Sequence, residues 1–477
     1  MNYETVIGLE VHAELKTNTK IYCGCINEFG GEPNTHTCPI CSGMPGTLPV
    51  LNKRVVDFAI KAGLAMNCSI TQYSKQDRKN YFYPDLPKAY QISQFDLPLC
   101  QNGYVDIVVN GETKRIGITR IHIEEDAGKL VHDDYANCSI ADYNRCGVPL
   151  IEIVSEPDLR SPEEAHVFLE TLKTILEYTE VSDCKMQEGS LRCDVNLSLR
   201  PEGQKEFGTR CEMKNINSFR AAVRSMEYEQ KRQTEVLSNG GIINQETRRW
   251  DDVKGESIVM RTKEDAQDYR YFPEPDLLPM IISDEWIEEI RSTIPELPEQ
   301  RKSRYISEFG LPEYDAFLLT SSKKTADYFD ETVSLGASPK AVSNWMMGDI
   351  AKFINDKELE AGDIPFAPAQ LKALIDLIEK GTISNSAAKK VLAEMFAQPE
   401  EPEKIVERLG LSQVSDEGAL MAMVQEVLAQ NPQSIVDYKA GKDRALGFLM
   451  GQIMRVSKGK ANPQVINQML KEALDKA

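Results

Sequence analysis

Near the start of the chain the segment "GLEVHAEL" alternates: Leu9, Val11, Ala13 and Leu15 fall on one side of a strand, Glu10, His12 and Glu14 on the other. A carboxylate, an imidazole and a second carboxylate in a row are what a metal ion or a proton transfer needs. They are also what a solvated sheet face carries. The pattern recurs. Arg120, His122 and Glu124 alternate with Ile121 and Ile123, and Glu125 and Asp126 follow at once. In "GSLRCDVNLSLR", Leu191, Cys193, Val195, Leu197 and Leu199 face one way, and Arg192, Asp194, Asn196, Ser198 and Arg200 the other. Arg210, Glu212 and Lys214 share a face in "GTRCEMKN", and Glu152 lies inside the apolar run "VPLIEIV", where a carboxylate is costly unless partnered. One polar face alone is solvent. Five in one region predict a wide sheet with one polar, concave surface. Acids interleaved with Arg and Lys suit one task, holding magnesium and phosphate together, because magnesium takes hard oxygen ligands and phosphate oxygens take cations. Metal-assisted phosphoryl transfer uses that mixture. The chain has no G-x-x-x-x-G-K-[ST], no G-x-G-x-x-G and no H-E-x-x-H, so any ATP site is built on a sheet surface and not on a phosphate loop.

A second constellation is "CGCINEFGGEPNTHTCPIC", which spaces Cys23, Cys25, Cys38 and Cys41 as C-x-C-x12-C-x2-C. Two close pairs across a Gly-rich loop can bring four thiolates to one tetrahedral zinc, with His36 an alternative ligand. Four unliganded cysteines are the competing reading. The other seven cysteines are scattered, and Cys193 and Cys211 alternate as core residues.

Two stretches interleave rings with cations: "DRKNYFYPDLPKAYQISQ" and "MRTKEDAQDYRYFPEPDLLP". Such stretches fit a nucleotide or an unpaired RNA end; most of these rings read instead as loops packed on a core, with Lys79 and Arg261 set aside as candidate phosphate contacts. Near the C-terminus Lys439, Lys442, Arg444, Arg455, Lys458 and Lys460 face one acid, Asp443. That local reversal of charge is either an RNA backbone contact or a solvated helix face.

These groups need a scaffold. With 477 residues the chain divides into two or three domains. Its net charge of -19 argues against a surface that grips nucleic acid everywhere. The first residues have neither a basic start nor an apolar core of signal-peptide length, and no apolar run approaches a bilayer span. A cytosolic protein is expected, and eleven cysteines, an odd number in a long chain, speak against a disulfide framework. Up to about residue 285 the chain reads as short strands, with a hairpin at Asn110-Gly111 and one long helix, "NSFRAAVRSMEYEQKRQTEVLSNGG", capped at Asn217 or Ser218. A Pro-rich transition over residues 271–301 precedes a helical texture. A second break at "QPEEPEK" leads to three or four short helices. The fold class is α+β: a domain around an antiparallel sheet (1–290), a helical domain (291–402) and a small helical tail (403–477).

The segments "GLEVHAEL", "CPICSGMPGTLPVLN", "DRKNYFYPDLPKAYQISQ", "IEEDAGK", "DYNRCGVPLIEIVSEPD", "MQEGSLRCDVN", "TRCEMKNINSF" and "MRTKEDAQDYRYFPEPDL" cover the first 280 residues. Through them the chain resembles the B-subunit (GatB) family of aspartyl/glutamyl-tRNA amidotransferases, and its helical remainder is similar to that family's helical linker and YqeY-like tail. Isoleucine in "IHIEEDAGK" replaces the family's usual leucine, a silent change. The resemblance implies a cradle-like kinase domain working within a heterotrimer. There, glutamate on mischarged tRNA(Gln), or aspartate on mischarged tRNA(Asn), is phosphorylated by ATP. Ammonia from the partner amidase (GatA), clamped by a small third protein (GatC), then gives the amide. It implies Glu10, His12, Glu124 and Glu125 at a magnesium site that manganese could also fill, with Glu152, Asp194 and Glu212 in support and Glu14 a solvated neighbour. Lys79, Arg192, Arg210, Lys214 and Arg261 would meet phosphates, Cys23, Cys25, Cys38 and Cys41 would hold a structural zinc, and the tail would carry the tRNA body. No DNA or membrane partner is implied. A non-catalytic, zinc-bearing tRNA adaptor and a metallohydrolase are the competing functions.

Overall fold

The computed structural model describes residues 2–133, 137–262, 268–360, 362–398, 400–412, 417–439, 442, 444–457, 461 and 463–476. They form two compact units, one up to Pro298 and one from Glu299 onward. In chain order the first unit runs β1 (Tyr3–Glu14), α1 (Lys53–Ala65), β2 (Ser69–Ile70), β3 (Tyr73–Ser74), β4 (Asp77–Asn80), β5 (Tyr90–Ser93), β6 (Cys100–Val109) and β7 (Glu112–Glu125). It continues with β8 (Lys129–Asp133), β9 (Cys138–Asp142), β10 (Pro149–Ser155), α2 (Pro162–Tyr178), β11 (Leu191–Pro201), β12 (Cys211–Lys214) and α3 (Phe219–Ser238). β13 (Glu246–Asp251), β14 (Glu256–Thr262), β15 (Phe272–Pro273), β16 (Met280–Ile281) and α4 (Asp284–Arg291) complete it.

Nine strands make one sheet in the order β14-β13-β12-β11-β1-β10-β7-β6-β2. The pairing differs from a purely antiparallel expectation at one place, since β12 and β13 run parallel. α3 lies between them in the chain and supplies the crossover that parallel neighbours require. The Asn110-Gly111 hairpin forms as read: φ is +54° and +81° at the two residues, the left-handed pair that a two-residue turn between twisted strands needs.

Alternation becomes two faces. Leu9, Val11, Ala13, Ile121, Ile123, Ile151, Ile153, Cys193, Val195 and Leu197 are buried in one apolar core, covered by α1, α2 and α3. The reading of a single long helix in this region is corrected here: α1 and α2 stand beside α3. α3 begins where expected, the Ser218 side chain accepting from the backbone N–H of Ala221 at 3.0 Å. α2 begins at Ser161, which caps Glu164 at 3.1 Å with Pro162 in the first helical turn. The opposite face of the sheet carries the acids and bases. A small sheet ordered β15-β4-β5 approaches it, β5 packing against β7.

The second unit is helical and holds two separate apolar clusters. One gathers Tyr305, Phe329, Leu374, Leu392 and Val406, and the other Leu420, Val424, Leu449, Ile466 and Leu474. The latter is built from four helices, Glu417–Gln430, Pro432–Lys439, Arg444–Val456 and Pro463–Lys476, in keeping with the short helices expected.

Candidate active site and cysteine cluster

Register places the polar residues in rows across the sheet. His122 pairs with Glu152, Glu152 with His12, and His12 with Arg192, so one line crosses β7, β10, β1 and β11. A second row joins Glu10 to Asp194, which Lys214 reaches from β12. Glu152 is 8% exposed and has two partners: its Oε2 lies 3.4 Å from His12 Nε2 and 3.3 Å from His122 Nε2. Glu124, also buried, lies 3.4 Å from His12 and 3.6 Å from His122. Two carboxylates thus sit between two imidazoles.

Burial disfavours every charge in this cluster, yet the opposite charges outweigh it. Glu124 is held below the ordinary carboxylate range by His122 and His12, and Glu152 well below it. His122 is pushed up to about 9 by Glu152 and Glu124, and His12 is raised by the same pair. Lys79, whose ammonium lies 5.0 Å from the centre of the Tyr269 ring, is kept charged against its burial by Glu124 and Glu152.

The ligand-capable residues divide into two groups, each with donor atoms within 4.8 Å of one another: His12, Glu124 and Glu152, and Glu10, Asp194 and Glu212. Two ionised carboxylates fit a divalent cation of the magnesium or manganese kind, and His12 completes the set by releasing the proton that these carboxylates favour in the metal-free site. In the second group Lys214 already bonds Asp194 and stands 3.1 Å from Glu212, while Asn196 donates to Glu10 at 2.9 Å. Burial, then the charge of Glu152, raises Glu10.

Glu125 is placed apart from both groups. Its carboxylate takes the Lys88 ammonium at 2.6 Å and the backbone N–H of Ile92 at 2.9 Å. Arg192 reaches Asp126 at 2.6 Å, and Arg145 meets the same acid at 3.1 Å. Arg210 is exposed just ahead of β12. Arg261 lies in β14 opposite Thr247. Glu14 is not a solvated neighbour. It is half-buried, and burial together with Asp126 pushes its carboxyl up to about 7. The aromatic stretches divide: Phe82, Tyr83 and Phe272 are exposed, Tyr90 packs against the apolar core, and Tyr271 stacks on Phe95 at 4.4 Å. Sequence reading passed over His122, Lys88, Asp126 and Arg145 as site residues. For His122 the signal was present, since alternation puts it on the face of Glu124.

The four sulfurs of Cys23, Cys25, Cys38 and Cys41 lie within 4.8 Å of one another, and His36 is not among that group. Zinc at about 2.3 Å from each of four tetrahedral sulfurs spaces them about 3.8 Å apart. Cys38 and Cys41 stand at 3.9 Å. Hydrogen bonding from Cys23 pulls the Cys41 thiol down, and the backbone N–H of Cys38 donates to its sulfur at 3.1 Å. Cys23 and Cys41 also line a cavity of about 210 Å³ together with Lys88 and Glu125.

In the second unit Lys439, Lys442, Arg444 and Arg455 are exposed, with Lys442 bonded to Asp437 at 3.0 Å. Lys458 and Lys460 lie outside the described residues. Among the described residues, no helix is long and apolar enough to cross a membrane.

Residues 5–288 match the family model described as the GatB/GatE catalytic domain, and residues 327–474 match that described as the GatB domain. The chain belongs to the GatB family. Similarity to individual GatB proteins extends over the whole length. The B subunit of the aspartyl/glutamyl-tRNA(Asn/Gln) amidotransferase of Caldicellulosiruptor bescii is 65% identical over 479 residues, covering 100% of both chains. The proteins of the same name from Thermoanaerobacter sp. and Brevibacillus brevis are 62% identical over 476 residues, with 100% of both chains covered, and 59% identical over 473 residues, with 99% of both covered. GatB chains are amidotransferase subunits, and this chain is one.

Proposed function

We propose that this GatB-family chain, part of a tRNA-dependent amidotransferase, carries the kinase site of that ligase. The side-chain carboxylate of glutamate on mischarged tRNA(Gln), or of aspartate on mischarged tRNA(Asn), attacks the γ-phosphorus of ATP and ADP leaves. Ammonia, freed from glutamine by the partner amidase that a small third protein holds in place, then attacks the acyl carbon. Inorganic phosphate leaves and nitrogen gives up a proton, which yields the amide. The attacking carboxylate is already ionised at neutral pH, so the protein's part is positioning and charge.

One observation carries this reading: Glu124 and Glu152 are locked as carboxylates between His12 and His122, with Lys79 poised beside them. His12, Glu124 and Glu152 would hold the magnesium ion, for which manganese can stand in, and Glu10, Asp194 and Glu212 back it up. The bound ion would supply charge neutralisation at the phosphate oxygens. Lys79, Arg192, Arg210, Lys214 and Arg261 are assigned to phosphate contacts, and Glu125 to the approach to the site with Lys88. The cysteine cluster binds a structural zinc, the basic tail takes the tRNA body, and the protein works in the cytoplasm. The kinase domain, expected over residues 1–290, corresponds to the unit that ends at Pro298; the linker, expected over 291–402, to the helical cluster that extends to Val406; and the tail, expected over 403–477, to the cluster that begins at Leu420.

The test is transfer of label from γ-labelled ATP to Glu-tRNA(Gln) by the purified complex. Glu152→Gln should retain tRNA binding and lose transfer by at least about 100-fold, as expected when a preorganised charge at the reacting centre is removed. Full transfer by the variant would remove the site. ATP turnover without tRNA would point to a hydrolase, and tRNA binding with no transfer by the wild type to an adaptor.

A further inference from the structure

Lys20 is fully buried, with no exposed surface. Lysine is almost never buried in this way without a paired anion, because an ammonium taken out of water loses its hydration and needs an opposite charge to offset the loss. Among the described residues no carboxylate lies within 4.0 Å of its nitrogen. Its contacts are the carbonyl oxygen of His36, to which Nζ donates at 2.6 Å, and the sulfur of Cys41 at 3.8 Å. The backbone holds it there: Lys20 N–H donates to the carbonyl of Cys25 at 3.0 Å, and His36 N–H is fixed by Asn144 Oδ1 at 2.8 Å. Lys20 therefore touches the loop between the two cysteine pairs and one sulfur of the second pair, with its backbone tied to the first pair.

Four thiolates on one divalent ion leave the centre with two negative charges in excess. A buried cation against one sulfur offsets part of that charge, and the centre in turn supplies the anion that Lys20 lacks. We infer that Lys20 is the built-in counter-cation of a four-thiolate zinc centre, a positioning residue that draws charge from the sulfurs and keeps the metal from being exchanged. The inference rests on the zinc assignment proposed above. A residue that merely filled space would not need a charge.

The experiment uses the full chain purified with its partner subunits. Elemental analysis of the wild type comes first; one zinc per chain is expected, and none would overturn both this inference and the zinc assignment. With zinc present, Lys20→Met should speed zinc transfer to a metallochromic chelator several-fold and speed alkylation of Cys41, read by mass spectrometry. Unchanged rates would overturn the role of Lys20 and leave the zinc assignment standing. A second comparison covers poor folding of that variant. In a background of Cys23→Ser, Cys25→Ser, Cys38→Ser and Cys41→Ser, Lys20 is left without its anion, so Lys20→Met should raise the melting temperature, whereas it lowers it in the zinc-loaded protein. The same sign of change in both backgrounds would overturn the inference.

Discussion

Glu152 and His122 face each other across β10 and β7, with Oε2 3.3 Å from Nε2 and both side chains buried. The pair has a consequence for pH. His122 is raised above its unfolded value of about 6.5 to about 9, so the stability it contributes is fully present below about 6.5 and is lost as pH rises through about 9. In metal-free protein the urea midpoint of the wild type should exceed that of His122→Gln most at pH 6, and the difference should shrink by pH 9.5. A constant difference across that range would show that the imidazole is not charged.

Glu14 runs in the same direction with pH, as a cost that appears and not as a gain that is lost. Its folded carboxyl is raised to about 7, so the folded state holds a proton that the unfolded state releases from about pH 4.5 upward. Stability from this residue falls as pH climbs through that window. Glu14→Gln should therefore be more stable than the wild type at pH 8 and indistinguishable from it near pH 4.5, as read by thermal melts at the two pH values.

The Lys88–Glu125 pair should be strongly coupled. Removing Lys88 alone leaves a buried carboxylate uncompensated, at a cost of about 3 kcal/mol, while Lys88→Met with Glu125→Gln should cost much less than the sum of the single changes. Denaturant titration of the four proteins measures the coupling. Additive costs would mean that solvent screens the pair.

The exposed basic residues of the tail make a kinetic prediction. Replacing Lys442, Arg444 and Arg455 with Ala should raise KM for mischarged tRNA several-fold and leave kcat and the KM for ATP unchanged. It should also flatten the salt dependence of tRNA binding by roughly one unit of slope for each phosphate no longer neutralised. An unaltered salt slope would make this face ordinary solvated surface.

Much of the scaffold was legible in the residues themselves. Period-two alternation marked the two faces of β1, β7 and β11, the Asn110-Gly111 pair marked its hairpin, Ser218 marked the start of α3, and the cysteine spacing marked the cluster. α2 was passed over although its signals were present, in Ser161, Pro162 and two acids in its first turn. α1 carried comparable signals and was also passed over: Asn52 caps it, and Lys53, Arg54, Asp57 and Lys61 recur at helical spacing opposite the buried Val55, Val56, Ala59, Ile60 and Ala62. What only the tertiary structure decided is partnership. Alternation within a strand says which residues share a face, but not which strand lies alongside or in what register. That Glu152 meets His12 and His122, that Glu125 turns to Lys88 and away from the metal group, and that Lys20 is buried against Cys41 all depend on contacts between segments 21 to 140 residues apart. Local sequence constrains faces because side-chain direction follows from the backbone dihedrals; the pairing of charges across the sheet follows only once the apolar face is buried and one register remains.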